Sequence, residues 1–276
     1  MSTSLLIPYM ASPYICYGVG PVLAAAFGFL TAWALCALLE VASCEGKKIT
    51  YGNNSPLRKD EIKKTQLSVP YSEQLTATLM TLLGPGAVLN CCLSAVLIPR
   101  LMYTSLEDLP LVPSLETFIL QLVSCYVIGD LGLYLGHRIQ HENEWLWTTF
   151  HSFHHKLKTP AAVSTIYIHP IDMLLQASLP MLLAVFVTQA HPLVFAAYSF
   201  SRVAENTFNH SGLDSFVVRL VTLKFLPGRA SVRHHDEHHR YSGYSGNAKN
   251  YGEGFWIWDG MMGTSRKSTV VVKKKE

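Results

Sequence analysis

The sequence predicts an all-α protein, an integral membrane helical bundle with a cytosolic histidine-rich helical cap. Hydrophobic residues make up 49% of the 276 residues and charged residues only 15%, against about 25% charged in a typical soluble domain. The mean hydropathy is +0.22. Long apolar stretches without charge alternate with polar segments, and histidines recur at helical spacing. No run of residues alternates in the way that is typical of strands.

Four apolar stretches are long enough to cross a bilayer, which takes about 20 residues in a helix. In chain order they are residues 14–42, 74–99, 115–136 and 173–201. Gly84-Pro85-Gly86 is expected to kink or break the second stretch, and His191-Pro192 to break the fourth. Asp130 interrupts the third. The fourth could form a hairpin that dips into the membrane and returns.

Charges outside these stretches predict the orientation. The polar segment 46–66 is rich in Lys and Arg, and the positive-inside rule places it in the cytosol. The first apolar stretch lacks a basic segment before it and an obvious cleavage site, so we expect a retained span rather than a removed signal peptide. Lys273 and Lys274 match a dilysine retrieval pattern of endoplasmic-reticulum membrane proteins. A solvated basic tail is the alternative.

The net charge and the cysteine pattern argue against nucleic-acid binding, a cysteine metal site and a disulfide framework. The net charge of +3 gives no electrostatic footprint for nucleic acid. The six cysteines form neither a metal knuckle nor a disulfide framework, and most lie in apolar stretches, so we interpret them as reduced packing residues.

Nine histidines predict a metal centre. Imidazole is the neutral side chain that binds first-row transition metals well. Helical positions i, i+3 and i+4 share a face, so each group of histidines can aim its rings at one point. Nine rings exceed the need of one metal and favour two. The residues are His137 and His141, then His151, His154 and His155, then His210, then His235, His238 and His239.

The pattern also indicates which kind of metal site this is. A single H-x-x-x-H is common by chance, but two copies of H-x-x-H-H after one H-x-x-x-H are not. Structural zinc prefers closed, cysteine-rich sites, and carboxylate-rich diiron bundles use Glu and Glu-x-x-His ligands. The histidine groups of this chain lack both. An imidazole-rich pair of irons beside a membrane is suited to activating dioxygen against an unactivated C–H bond.

These histidine boxes, in this order, resemble those of the fatty acid hydroxylase and sterol desaturase superfamily. The match is closest to the branch of 4-methyl sterol oxidases and sterol 25-hydroxylases and covers residues 115–265. The segments that carry it besides the boxes are Arg202-x-x-Glu205-x-x-x-x-His210-Ser211-Gly212, Arg233-His234-His235-Asp236-x-His238-His239, Asn250-Tyr251 and Trp258-Asp259-Gly260-x-x-Gly263-Thr264.

The resemblance implies a set of metal ligands. It assigns His137, His141, His151, His154, His155, His235, His238 and His239 as ligands that act in catalysis through the metals, with His210 as a further ligand. The cofactor is then a pair of iron ions. Asn206 stands where some relatives place another histidine, and water could fill that position here.

Some carboxylates are candidates to support those ligands. Asp130 lies two helical turns before His137 on the same face, and metal-bound histidines usually donate their other N–H to such a group. The alternative interpretation of Asp130 is a helix-end carboxylate at the membrane interface that does not support a metal ligand. Glu205 and Asp236 are weaker candidates, and we expect His234 to face outward.

The resemblance also implies an activity. The expected function is a membrane-bound non-haem diiron oxygenase, most similar to 4-methyl sterol oxidases, that oxidises a lipid C–H bond. Electrons would come from NAD(P)H through a cytochrome b-type donor and its reductase, because the sequence has no G-x-G-x-x-G motif. A fatty acyl or sphingolipid hydroxylase or desaturase is the alternative substrate class. A membrane metal-binding or transport protein is the alternative of another class, which predicts more intramembrane charges than Asp130.

The sequence thus predicts three regions and a location. Residues 1–114 are expected to form membrane helices and a basic loop, 115–265 the catalytic domain, and 266–276 a basic tail. We expect a multi-pass protein of the endoplasmic reticulum membrane, with the histidine boxes and the C-terminus in the cytosol.

Overall fold

A computed structural model of the protein describes residues 12–42, 69–244 and 248–266. Across these ranges the regular structure is helical, and the one β-type pairing is an isolated bridge between Arg229 and Phe255. This confirms the all-α class. The basic segment 46–66 and the lysines Lys273 and Lys274 lie outside the described residues.

Besides the short 3₁₀ helices Leu106–Asp108 and Ala162–Ser164, ten helices follow one another along the described chain. The first six are Tyr14–Val41 (α1), Tyr71–Leu82 (α2), Pro85–Leu101 (α3), Leu115–Glu142 (α4), the segment 144–154 (α5) and Pro170–Thr188 (α6). The last four are Pro192–His210 (α7), Phe216–Val221 (α8), Val232–Tyr241 (α9) and Ile257–Met262 (α10).

The helix breaks fall where the sequence predicts them. α2 ends before Gly84, and Pro85 opens α3 at a position where its missing N–H costs nothing. Gln189 takes a left-handed conformation (φ 49°) and ends α6, after which the side chain of His191 caps the N-terminus of α7. The fourth apolar stretch is therefore divided into two helices, α6 and α7, each of which packs against α4.

Four helical segments are long and apolar enough to cross a membrane, with α2 and α3 counted together as one. They are α1, α2 together with α3, α4 and α6, with mean hydropathies between 1.7 and 2.2. At most a third of each apolar window is buried inside the protein. Large apolar side chains such as Leu23, Ile119 and Val187 are half-exposed or more. Such a surface is stable against lipid tails rather than water, so the chain is a membrane protein.

Close backbone approaches hold the bundle together. A Cβ on Gly28 of α1 would lie 2.2 Å from the carbonyl oxygen of Phe200 on α7, and one on Gly136 of α4 would lie 2.5 Å from that of Leu175 on α6. Only glycine fits at these contacts. The second contact lies beside His137, so it also fixes the first histidine box against α6.

We expect Gly136→Ala to destabilise the fold, because its methyl group would meet a backbone carbonyl that cannot rotate away. Overpacking of this kind costs about 1–3 kcal/mol, which outweighs the gain of up to about 1 kcal/mol in helix propensity. Thermal unfolding in detergent should show a lower midpoint. Gly260→Ala is the matched control, since its nearest neighbour is the half-exposed Trp256 ring at 3.3 Å. An equal or higher midpoint for Gly136→Ala would contradict the packing described.

Candidate metal centre

Four parts of the chain bring the nine histidines to one end of the bundle. His137 and His141 lie one helical turn apart near the end of α4, and His210 is the last residue of α7. α5 and the residue after it carry three more, and α9 carries the last three. The hydroxyl of Ser231 caps α9 by accepting a hydrogen bond from the backbone N–H of His234.

The nine rings form two clusters, and within each cluster the candidate ligand atoms all lie within 4.8 Å of one another. Every ring is buried. The clusters adjoin, because the rings of His155 and His239 stack with centroids 4.7 Å apart. The five-histidine cluster consists of His137, His141, His151, His155 and His238, and the four-histidine cluster of His154, His210, His235 and His239.

Seven of the nine rings use Nδ1 for a hydrogen bond directed away from the clusters. Six acceptors are backbone carbonyls, so these Nδ1 atoms carry the proton and leave Nε2 with a lone pair. The bonds are His137 to Tyr251 (2.9 Å), His141 to Gly243 (2.9 Å), His154 to Tyr167 (3.0 Å), His210 to Asn206 (2.9 Å), His238 to Lys249 (2.7 Å), His239 to Leu157 (3.2 Å) and His151 to the Asp172 carboxylate (2.9 Å).

This arrangement makes unpaired lone pairs face one another. The Nε2 atoms of His141 and His151 are 3.0 Å apart, and His210 Nε2 lies 3.3 Å from that of His154 and 3.2 Å from that of His239. With Nδ1 protonated in each of these rings, no proton is left for a hydrogen bond between them. A cation between the nitrogens removes the repulsion.

Protonation of the rings is a poor source of that cation. Burial, together with the neighbouring His154, lowers the pKa of His210 to about 3. Burial likewise lowers the pKa of His151 and His239 well below the usual value. A divalent transition metal satisfies several Nε2 atoms at once. The donor set and its orientation therefore fit bound metal.

Asp172, at the start of α6, is the functional carboxylate that the sequence analysis missed. Its side chain is fully buried and accepts the Nδ1–H of His151. A carboxylate in this place fixes the ring orientation and makes Nε2 more basic. The sequence feature that could have identified Asp172 is its position directly before the apolar stretch 173–201.

The structure gives Asp130 partners other than the histidines. Its carboxylate accepts hydrogen bonds from the backbone N–H groups of Gly254 and Phe255, at 2.8 and 2.9 Å, and from the indole of Trp258 at 3.0 Å. Asp130 thus holds the loop whose Tyr251 carbonyl orients His137. Its support of the first box is indirect.

The other residues singled out from the sequence lie as follows. Glu205 pairs with Lys224 and Arg229, and Asp236 is fully buried on α9. His234 lies outside both clusters and contacts Asp259 at 3.0 Å. His169, which the sequence analysis did not single out, caps the N-terminus of α6.

A buried group of charges lies beside the centre. Arg202 donates a hydrogen bond to Glu253 at 3.0 Å and lies 3.6 Å from Asp130, and Lys224 contacts Glu205 at 2.9 Å. Burial raises the pKa of Glu253 to about 7, and Arg202 opposes the rise. Burial also acts to raise the pKa of Glu205, but Lys224, Arg229 and Arg202 together lower it to about 2.

A cavity of about 140 Å³ lies within the bundle, lined by residues from α1, α2, α3, α4, α6 and α7. Its walls are mostly apolar and include Val22, Leu82, Leu133 and Phe195. Gln176, Arg202 and Asn206 bring polar groups to its lining. A mostly apolar lining with a few polar groups is typical of small-molecule sites, and this cavity is smaller than the roughly 300–1,000 Å³ of most ligand pockets.

A family model described as fatty acid hydroxylase matches residues 122–264, which is slightly more than half of the chain. The chain belongs to the fatty acid hydroxylase family. The match contains all nine clustered histidines and the residues Gly243, Lys249 and Tyr251, whose carbonyls orient three of them. The resemblance inferred from the histidine boxes is thereby confirmed.

Relatives in this superfamily carry names of several lipid enzymes. The chain is 31% identical over 156 residues to a cholesterol 25-hydroxylase of Rattus norvegicus, covering 56% of this chain and 49% of the relative. It is 30% identical over 179 residues to a very-long-chain aldehyde decarbonylase of Oryza sativa subsp. indica, covering 62% and 61%. It is 30% identical over 154 residues to a methylsterol monooxygenase of Arabidopsis thaliana, covering 56% and 55%.

The chain therefore spans about half to three fifths of the length of these curated relatives. No solved structure matches the chain.

We expect Asp172→Asn to weaken metal binding by about 10–100-fold, the usual effect of losing a group that orients a ligand. The amide keeps the size of the side chain but removes the charge that makes Nε2 of His151 basic. Titration of the purified protein with Fe²⁺ under nitrogen measures the affinity. Asp214→Asn is the control, because Asp214 pairs with the half-exposed Arg219. Unchanged affinity in Asp172→Asn would show that Asp172 has no part in metal binding.

Proposed function

We propose that the protein is a membrane-bound non-haem diiron oxygenase that oxidises a lipid C–H bond with dioxygen. The observation that carries the proposal is the orientation of nine buried imidazoles, whose Nε2 atoms converge in two adjoining clusters. One iron would be held by the five-histidine cluster and the other by the four-histidine cluster. Imidazole accepts several metals, and membership of the fatty acid hydroxylase family favours iron.

The bound irons would supply dioxygen activation and hydrogen removal from an unactivated carbon. The chain supplies the rest. Carbonyls of Tyr251, Gly243 and Lys249 fix the ring tautomers and hold each Nε2 toward its cluster. Burial of every ring keeps bulk water away from the reacting centre.

The proposed substrate is a hydrophobic lipid that enters the cavity from the bilayer between the helices. A sterol is the first choice, since the relatives from Rattus norvegicus and Arabidopsis thaliana are named for cholesterol and methylsterol. A fatty acyl or sphingoid lipid is the second, and the relative from Oryza sativa subsp. indica is named for a very-long-chain aldehyde. The mostly apolar cavity among membrane helices supports both classes.

Electrons would reach the irons from NAD(P)H through a cytochrome b-type donor and its reductase. These 276 residues contain no G-x-G-x-x-G motif, so we propose that electrons reach the irons from outside this stretch of chain. We also predict a location in the endoplasmic reticulum membrane, with the histidines on its cytosolic side. The assignment of the histidines as ligands and the division of the chain into three regions stay predictions as well.

Single histidine variants test whether two metals are bound. We expect His154→Ala and His155→Ala each to reduce the iron content from two per chain towards one, because the two side chains belong to different clusters. Metal analysis of the purified variants measures this. His169→Asn is the matched control, since His169 lies outside both clusters and asparagine also caps helices well. Full iron content in both alanine variants would refute the assignment.

Isotope labelling tests the reaction. The purified protein, supplied with NADH, cytochrome b5 and its reductase, should oxidise a 4-methyl sterol under ¹⁸O₂ and place one ¹⁸O atom in the product at the first oxidation. His154→Ala should lose at least about 10³-fold in rate, as expected for a metal ligand that is required for the chemistry. Product without label, or turnover that survives in His154→Ala, would contradict an oxygenase mechanism. If a sphingoid base is oxidised and the sterol is not, the second substrate class replaces the first.

A further inference from the structure

Two segments that follow α7 expose large apolar side chains to their surroundings. They are residues 216–226 and 256–262, which we name together the apolar C-terminal surface. Phe216 is 78% exposed, Phe225 59% and Met261 71%. Both segments lie outside the four candidate spans found among the described residues. Water rarely covers a contiguous apolar patch on a protein surface, so we expect an apolar neighbour here.

The two segments are in direct contact with each other. Arg229, just after the first segment, forms the isolated bridge with Phe255, just before the second. The backbone N–H of Trp256 donates to the carbonyl of Gly228 at 3.1 Å. A Cβ on Gly228 would lie 2.6 Å from the side chain of Ile257. The exposed apolar side chains therefore form one surface rather than two separate patches.

Contacts with α4 fix the level of the second segment in the membrane. The carboxylate of Asp130, near the middle of α4, accepts the backbone N–H groups of Gly254 and Phe255. On the same helix Val127 and Leu135 expose apolar side chains on either side of that level. Lipid tails cover such side chains on a membrane span. The second segment therefore begins at a depth where α4 itself faces lipid.

Contacts with α1 fix the level of the first segment in the same way. Val218 of α8 packs in one buried cluster with Ala32 and Cys36 of α1. Beyond this contact α1 still exposes the side chains of Leu38 and Val41, its last residue. The bilayer thus extends along α1 past the place where α8 binds. At this level the exposed face of α8 borders the same lipid.

The charged residues of the two segments do not oppose contact with lipid. Lys224 turns inward, where its ammonium contacts Glu205 at 2.9 Å. Asp259 is fully buried. Arg219 is half-exposed, and it pairs with Asp214. A long arginine side chain can keep its guanidinium among lipid head groups while its stem stays in apolar surroundings.

We infer that the apolar C-terminal surface is inserted into the acyl chains of the bilayer, in the leaflet on the side of the histidine clusters, without spanning it. The occupant is lipid because this surface continues the exposed apolar faces of α1 and α4 at the same depth. A second copy of the chain or a soluble protein would have to displace lipid there. His137 follows Asp130 by seven residues, so the first histidine box begins about 10 Å along the helix from this lipid contact.

Photolabelling of the unchanged protein tests the inference, and it needs neither bound metal nor turnover. The full chain is reconstituted into nanodiscs of phosphatidylcholine that carries a diazirine in the middle of one acyl chain. After irradiation, mass spectrometry of peptides locates the lipid adducts. We expect adducts on residues 216–226 and 256–262 as well as on the exposed face of α4, and none on Tyr244.

Tyr244 is the reference for a side chain outside the acyl region. It is exposed and follows Gly243, whose carbonyl binds His141 near the end of α4. At that end Arg138 and Glu142 form a partly exposed ion pair, which marks the edge of the bilayer core. Adducts on α4 without adducts on the apolar C-terminal surface would overturn the inference. A second copy or another protein on this surface would give that same result.

A charged substitution gives a second test. Phe225→Asp would change the stability little if water covered this side chain, as for most surface substitutions. Among acyl chains a carboxylate is costly, so we expect the unfolding midpoint in nanodiscs to fall by about 5–10 °C. Tyr244→Asp is the matched control, an exposed aromatic residue at which the same substitution should shift the midpoint by less than about 2 °C. Equal shifts in the two variants would overturn the inference. The photolabelling decides it if Phe225→Asp does not fold.

Discussion

The constraint on which the site depends is the tautomer of the clustered histidines. A neutral imidazole presents a lone pair on Nε2 only while its proton resides on Nδ1. Six backbone carbonyls and Asp172 hold that proton in seven of the rings. The loops after α5 and α9 supply five of these carbonyls, so their irregular course is part of the site. With the protons held on Nδ1, the facing Nε2 lone pairs are buried at great cost unless a cation lies between them.

The burial pattern is the reverse of that in a soluble protein. The surfaces of the four long helices expose apolar side chains, while histidines, carboxylates and Arg202 fill the interior at one end. Such polar groups are tolerated because they bind one another. Asp130 illustrates the principle: it joins the middle of α4 to Gly254 and Phe255, and the adjacent Glu253 binds Arg202. The membrane helices and the histidine cap are thus linked through buried hydrogen bonds.

The sequence predicts the helical class, the helix breaks and the nine histidines, because periodicity, proline and histidine spacing are local signals. It does not predict how the histidines divide. His154 and His155 are adjacent, yet they belong to different clusters, since successive residues of a helix point about 100° apart. Backbone carbonyl acceptors leave no trace in a side-chain pattern, so the support of His137 by Tyr251 could not be read from the sequence. Asp172 and Glu253 gain their roles from partners distant in the chain, which only the folded structure brings together.

Anomalous X-ray scattering at the iron absorption edge tests the central claim most directly. Crystals of the iron-loaded protein should show two anomalous peaks per chain, one among the Nε2 atoms of the five-histidine cluster and one among those of the four-histidine cluster. The carbonyl-bound Nδ1 atoms should face away from both peaks. Clusters without a peak in iron-loaded crystals, or iron bound only at another place in the chain, would contradict the account.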